Sequence, residues 1–384
     1  MKIGIVLANT PSYSETFFNS KIKKLKETEH EVILFSPNRN QYKKTKVVAP
    51  LKISVLGFLK FFVYTIIYWE RFNKFYKAEV LERKSKKRAL KNLFLNTHIL
   101  TQKLDWLHFG YATMVIQREL VAETIGAKMA VSFRGYDIGI FPLKHKDCYN
   151  LLWKKIDKIH TISDDLLKKA YKLGLNINTP FEKITPAIDI NLFKNSNDIN
   201  FEKLNFITVA RLHWKKGLDL TLFALKKIKE EGVDFTYKII GVGDELEKIT
   251  YLISELNLED NVFLLGKLSP ENVIKELSKS NVFLQYSLQE GFCNAVLEAQ
   301  AMGLFSIVSD AEGLSENIIN NKTGFVVEKY NVEKLYNAIL KFIDKKALDK
   351  KEYSLSAISN VRENYNLEKQ QKEFLNFYNI IDKV

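Results

Sequence analysis

The sequence predicts an α/β protein built from parallel, doubly wound sheets in two domains, and three observations carry that expectation. Short apolar runs alternate with longer helix-like stretches, most clearly after residue 205. A chain of 384 residues exceeds one ordinary core. The motifs richest in charge and glycine follow strand candidates, where open α/β sheets bind ligands.

In chain order, residues 3–8 read as a first strand and Glu31–Ser36 as a second, after a helix that includes Phe17–Leu25. Residues 53–69 are apolar and aromatic apart from Lys60. As one helix they would reach about 25 Å, short of the roughly 30 Å hydrocarbon slab, so they make a poor transmembrane span. A basic run, Arg71 to Lys91, follows. An apolar helix beside a cationic one is the pattern of an in-plane membrane contact, with burial in the domain core as the plainer alternative. His108 lies at an apolar strand end, a place where a structural histidine is the commoner outcome. Ala130–Phe133 is a strand that delivers Arg134, Gly135, Tyr136 and Asp137 at its carboxyl end; a simple Arg134–Asp137 ion pair is the alternative to a ligand role. Ile159–Ser163 is a short strand, with Ser163 capping the helix that Asp164 opens. Asp189 turns the chain, and the polar stretch Asn195–Asn205 reads as the linker.

The second domain offers strands at 206–210, 236–241, 262–265, 282–285, 305–308 and 325–327. Arg211 and Lys216 fall in the loop after its first strand, before a helix starting near Leu218, where two cations suit a pyrophosphate. The most informative segment is EGFCNAVLEAQAMG, Glu290 to Gly303. Gly291 is expected to allow a sharp turn and Asn294 to start a helix, so Glu290 precedes that helix and Glu298 lies about one turn inside it. Free amides from Phe292 to Asn294 would attract phosphate. Eight helical steps would separate the carboxylates by about 12 Å, too far for a glycosidase pair. Residues from Tyr353 onward read as helical.

These motifs resemble those of family 4 retaining glycosyltransferases. VARLHWKKGLDL (209–220), IIGVGDE (239–245), EGFCNAVLEAQAMG, DAEGLSENI (310–318) and TGFVV (323–327) match that family in order, over roughly residues 1–365. PSYSETFFNSKIKKL (11–25), HFGY (108–111) and FRGYD (133–137) are similar to its exopolysaccharide and colanic-acid subgroup. The resemblance implies the GT-B arrangement, two Rossmann-like domains facing across a cleft. The expected domains are 1–195 on the acceptor side and 200–365 for the nucleotide sugar, with 366–384 a helix returning to the first.

It also implies a hexose transferred from a nucleoside diphosphate sugar with retention. Glu290 would hold the sugar, Glu298 the ribose, and Arg211 and Lys216 the diphosphate; Gly241, Gly291, Phe292, Cys293 and Asn294 would line the donor. Acceptor-side candidates are Glu15, His108, Arg134 and Asp137. Arg134 stands where the subgroup often has His, so it can stabilise charge but cannot shuttle a proton. The rival readings are a nucleotide-sugar epimerase on the same fold and a non-catalytic membrane-surface scaffold.

Composition narrows the partners. Residues 1–195 hold 34 Lys/Arg and 17 Asp/Glu, a net of +17, whereas the remainder carries a net of −4. An excess confined to one half points to an anionic partner there, and an anionic membrane through 51–91 fits better than nucleic acid, for which no recognition motif is present. A lipid-linked or oligosaccharide acceptor follows from the family and the basic half. Two cysteines, Cys148 and Cys293, make no disulfide framework, and Cys293 reads as a small loop residue. No His/Cys/Asp cluster has metal-ligand spacing, so no metal or cofactor is expected beyond the nucleotide-sugar co-substrate. The N-terminus carries no signal pattern, which suggests a cytoplasmic protein, peripheral on the cytoplasmic face of the membrane.

Overall fold

The computed structural model describes residues 1–11, 16–28, 30–38, 45–194 and 199–379. The chain divides into two units, Met1–Ile184 with Gln371 onward, and Thr185–Gln370. The first boundary lies ahead of the polar stretch proposed as a linker. Residues just after it already pack in the second unit: Ala187 and Ile188 are buried, and the Ile188 amide donates to Tyr365 O at 2.9 Å.

The first unit holds a seven-stranded sheet: β1 (Lys2–Val6), β2 (Glu31–Phe35), β3 (Lys46–Val48), β4 (Trp106–Phe109), β5 (Lys128–Phe133), β6 (Lys158–Thr161) and β7 (Phe181–Lys183). Its order is β3-β2-β1-β4-β5-β6-β7, and every pairing is parallel. The second holds β8 (Leu204–Val209), β9 (Phe235–Ile240), β10 (Val262–Gly266), β11 (Val282–Gln285), β12 (Phe305–Ser309) and β13 (Gly324–Val327), ordered β10-β9-β8-β11-β12-β13 and also parallel. Both are Rossmann-like α/β layers. Central strands such as FSIVS are buried on both faces, as helices above and below a parallel sheet require. The short edge strands β3 and β7 carry half-exposed residues, and their patterns give no sequence signal.

The insertion between β3 and β4 is three helices, Val55–Ile67, Trp69–Arg83 and Lys86–Leu100. The single helix expected over 53–69 breaks at Tyr68, which leaves helical geometry at φ −111°, ψ 33°. Two cations of the basic run are structural. Arg71 donates to Leu100 O (2.7 Å) and Gln102 O (2.8 Å), and Arg83 bridges the buried Glu79 and Glu119.

A buried polar chain runs beneath the last helix, Leu367–Phe377. His108 Nε2 meets Ser132 Oγ at 2.8 Å, Ser132 Oγ meets His160 Nδ1 at 2.7 Å, and His160 Nε2 reaches Ile184 O at 2.9 Å. His108 Nδ1 meets both Tyr378 Oη (2.6 Å) and Lys21 Nζ (3.1 Å). Lys21 is buried with no carboxylate among its described contacts; it lies against the rings of Phe374 and Tyr378. Burial, then the Arg134 charge, hold Lys21 well below its usual range.

The unfolded chain therefore binds a proton that folded Lys21 resists, so this group's contribution to stability rises with pH up to the ordinary lysine value of 10.5. Lys21→Met removes that slope. Urea midpoints of the variant, relative to wild type, are expected to fall between about pH 6 and about pH 9; parallel curves would show that Lys21 keeps its proton in the fold.

Candidate active site

The second sheet reverses its strand order between β8 and β11, and ligands of open parallel sheets bind beyond the carboxyl ends of the strands at such a reversal. Arg211 follows β8, Gly241 follows β9, Glu290 follows β11, and the 310–318 segment follows β12. Close backbone approaches shape these loops. Gly217 sits at φ 58°, and a Cβ there would lie 2.2 Å from Tyr286 O. Gly241 sits at φ 146°, where a Cβ would lie 1.8 Å from Ala210 O. Gly241 thus seats its loop against residues 210–212, where the Leu212 amide donates to Val242 O at 3.0 Å. Gly291, expected to make a turn that other residues resist, is not among the positive-φ glycines. That freedom is used at Gly217 and Gly241 instead.

Lys216, in a short turn over Trp214–Lys216, is ion-paired to Glu290. Their side chains are only 11% and 16% exposed. Burial on its own would lower the Lys216 pKa, but Glu290 outweighs it and holds the ammonium above its ordinary value. Next to it the Lys215 carbonyl accepts the Leu288 amide at 2.7 Å, tying the turn to the loop after β11. Lys215 is half-buried, and burial keeps it below its usual range, opposed by Glu290 and reinforced by Arg211 and Lys216. Neither the exposed Arg211 nor Lys215 has a side-chain hydrogen bond or ion pair among the described residues. The result is three cations, two of them without a hydrogen bond or ion pair among the described residues, beside the carboxylates of Glu290 and Glu312.

The 310–318 segment clamps the Glu290 loop. Glu312 adopts a left-handed backbone (φ 49°), and its carboxylate accepts the Glu290 amide at 2.9 Å. Asn317 takes the Cys293 amide (3.1 Å) and donates to the Cys293 carbonyl (2.9 Å). Sequence reasoning misses Lys215, Glu312 and Asn317 as site residues. All three lie inside motifs it singled out, one place from a named lysine or within DAEGLSENI.

The helix is Asn294–Ala301 with Cys293 in the cap position, so Asn294 is its first turn rather than its cap. Burial pushes the Cys293 thiol up to about 11, a neutral group in keeping with its reading as a small loop residue. The Phe292 ring packs on Tyr365 (centroids 5.8 Å apart), leaving its backbone for any ligand. Glu298 is half-buried without a side-chain partner among the described residues, and burial pushes its pKa up to about 7.

In the first unit, Asp137 and His108 do not present themselves to a ligand. Asp137 is buried, and its oxygens accept the amides of Ala112 (3.0 Å), Arg134 (3.0 Å) and Gly135 (2.9 Å); no ion pair joins it to the Arg134 side chain. His108 belongs to the buried chain under the last helix, and burial, then Lys21, His160 and Arg134, hold it well below its ordinary pKa. Both correct the acceptor-side expectation, because strand-end positions in a parallel sheet can close inward as readily as outward. Arg134 is half-buried with its guanidinium 5.2 Å from the Phe18 ring. Glu15 lies outside the described residues.

Residues 189–363 match the family model described as glycosyl transferases group 1. These residues make up almost the whole of the second unit, and the two parallel-sheet units have the fold of the GT-B class. Among relatives, amylovoran biosynthesis glycosyltransferase AmsK of Erwinia amylovora is 30% identical over 247 residues, 61% of this chain and 60% of that protein. The UDP-Gal:alpha-D-GlcNAc-diphosphoundecaprenol alpha-1,3-galactosyltransferase of Escherichia coli is 31% identical over 179 residues, 44% of each. The matches thus span about 60% or less of these relatives. Anabaena Alr3699/HepE, solved in complex with UDP, superposes with a TM-score of 0.74 at 13% identity, covering 98% of this chain and 99% of that one.

Glu298 yields a pH test. Its folded pKa of about 7 exceeds the ordinary glutamate value of 4.5, so its contribution to stability is present below 4.5 and lost as pH rises through about 7. Melting temperatures of wild type are expected to fall relative to Glu298→Gln across that window; an unchanged difference would mean the carboxyl is solvated and ordinary.

Proposed function

We propose that this chain is a retaining glycosyltransferase that moves a hexose from a nucleoside diphosphate sugar to a lipid-linked glycan in cell-surface polysaccharide synthesis. The observation that carries the reading is the set at one sheet reversal: Arg211 and Lys215 unspent, Lys216 held by Glu290, and Glu298 unpartnered in a half-buried position. Clustered cations suit a diphosphate, and partly dehydrated carboxylates suit hydroxyls of a sugar and a ribose. A diphosphate that draws Lys216 toward itself also frees Glu290 to accept sugar hydroxyls.

In the proposed reaction the bond from the anomeric carbon to the diphosphate breaks, its electron pair leaving with the diphosphate oxygen. The acceptor oxygen bonds to the same face, and its proton passes to the departing diphosphate. Arg211, Lys215 and Lys216 stabilise charge where it develops, which is the largest contribution a fixed site can make. Arg134 would add charge stabilisation on the acceptor side, without moving a proton. The family match supports the reaction class, and the names of the Erwinia and Escherichia relatives support a polysaccharide pathway and a lipid diphosphate acceptor. UDP in the Anabaena structure makes a uridine donor the first to try.

The reading includes an anionic membrane as the partner of residues 51–91, with the protein peripheral on the cytoplasmic face. Among the described residues no helix is long and apolar enough to cross a membrane. Yet the Val55–Ile67 helix fully buries Gly57 alone, and although Phe61 packs on Phe72 and Phe94, most of its large apolar side chains, including Val55, Leu59, Phe62 and Ile66, are 50–80% exposed. Soluble surfaces rarely leave so continuous an apolar face open. Exposed Lys84, Lys86, Lys87, Arg88 and Lys91 stand in the two following helices and the turn between them, the pattern of a helix lying in an anionic interface.

Thermal shift with a panel of UDP-, GDP-, ADP- and dTDP-sugars is expected to show stabilisation by one nucleotide, absent in Arg211→Ala. Glu290→Gln should keep the nucleotide shift and lose at least ~10²-fold in transfer. No shift with any nucleotide in folded wild type would sink the donor assignment.

On the membrane side, Phe62→Asp combined with Ile66→Asp should abolish co-flotation with anionic vesicles while leaving the nucleotide shift intact. Undiminished flotation would remove this helix from the contact.

A further inference from the structure

We infer that the cavity between the carboxyl ends of β2 and β3 and the start of the Val55–Ile67 helix binds the phosphate headgroup of a lipid whose chains lie along that helix. The inference rests on the reading of residues 51–91 as a membrane contact. The cavity measures 800 Å³ and draws its walls from three stretches: Pro37 and Asn38 after β2, Ala49 to Lys52 after β3, and Ser54 to Lys60 at the helix start. Its charged lining residues, among those described, are Lys52 and Lys60, with no carboxylate beside them. Neither ammonium has a hydrogen-bond or ion-pair partner among the described residues.

Two cations in a concave site without a counter-charge make it attractive to an anion. Lysine acts there as a compact point charge, a common way of holding phosphate. The helix terminus is not needed as the binding group, because Ser54 Oγ already accepts the Gly57 amide at 3.2 Å. The walls are also fixed relative to each other. A Cβ on Gly57 would lie 1.9 Å from Lys52 O, so the first helical turn rests directly on the segment that carries Lys52.

The apolar neighbourhood selects the source of the phosphate. Leu56 lines the cavity, and the exposed Val55, Leu59, Phe62 and Val63 continue from it along the same helix. A free phosphate ester would gain nothing from that surface, whereas a lipid phosphate uses the lysines and the apolar helix together. Two point charges also match a phosphomonoester or a diphosphate, which carries close to two charges at neutral pH, better than a singly charged phosphodiester. The ligand class is therefore a lipid phosphomonoester or a lipid diphosphate diester, the latter being the link between lipid and glycan that a lipid diphosphate acceptor would present.

The test is flotation of the full chain with phosphatidylcholine vesicles carrying either phosphatidic acid or, at matched surface charge, phosphatidylglycerol. Wild type is expected to favour phosphatidic acid by about tenfold. Lys52→Ala/Lys60→Ala should erase the preference yet keep binding to phosphatidylglycerol. A control lacking two distant cations, Lys86→Ala/Lys87→Ala, should weaken both lipids equally and keep the preference. Equal binding of wild type to both lipids, or a preference that survives loss of Lys52 and Lys60, overturns the headgroup site while leaving the membrane contact standing. Binding to neither vesicle overturns the membrane reading itself. Excess inorganic phosphate that abolishes the preference would show a site for free phosphate and overturn the lipid assignment; a preference that persists supports it.

Discussion

The second unit's ligand end depends on one ion pair, Lys216 with Glu290. It joins the turn after β8 to the loop after β11, the two strands that flank the sheet reversal. An exposed pair of this kind would contribute about 0–1 kcal/mol. With both side chains mostly buried, removal of one partner strands the other's charge, which costs roughly 3–5 kcal/mol. Neighbouring backbone contacts hold the same geometry: Leu288 donates to Lys215 O, and Gly217 rests on Tyr286 O. The pair keeps a cation and a carboxylate in place at the sheet reversal.

From that constraint the rest of the site follows. Glu290 can hold position only if its loop is fixed, and the 310–318 segment does this through Glu312 and Asn317. Glu312 adopts an unfavourable left-handed backbone to reach the Glu290 amide, a cost of order 1 kcal/mol or more that tends to persist where geometry matters for function. Arg211 stays unspent because Gly241 and Gly243 let the next loop pass beneath its backbone without a side chain in between.

How much of this was legible in the sequence varies with the physics. The six strands of the second sheet read well because each is a buried apolar run bounded by polar turns. Arg211, Lys216, Glu290 and Glu298 stand at the strand ends and helix start expected of them, because those positions are local signals. Asn294 starts its helix as expected, with Cys293 in the cap and no capping side chain, whereas Gly291 was misread because turn assignments hinge on backbone angles. The edge strands β3 and β7 had no pattern to read. His108 is the structural histidine that its strand-end position favoured, whereas Asp137 stood as an acceptor-side candidate because position at a strand end is visible in sequence and the direction of a side chain is not. Asp137 turned inward to satisfy three amides, and His108 joined a chain of buried groups whose partners, Lys21 and Tyr378, are far away in sequence.

The insertion between β3 and β4 shows the opposite balance of local and tertiary information. Its apolar stretch was compatible with either a core helix or a membrane contact, and composition alone gave no way to choose. Burial decides what the stretch is not: the Val55–Ile67 helix buries Gly57 and packs Phe61 on Phe72 and Phe94, but leaves most of its large side chains outside, so it is no central core element of this unit. The break at Tyr68 then separates it from the helix whose buried Phe72, Phe75 and Glu79 anchor the insertion to the domain. The charge count changes meaning too, because Arg71 and Arg83 are spent on carbonyls and buried carboxylates. What remains outside is an apolar helix with lysines at its start and in the following helices. On the reading proposed above, water gains nothing from that surface and a bilayer with anionic headgroups would satisfy both of its halves.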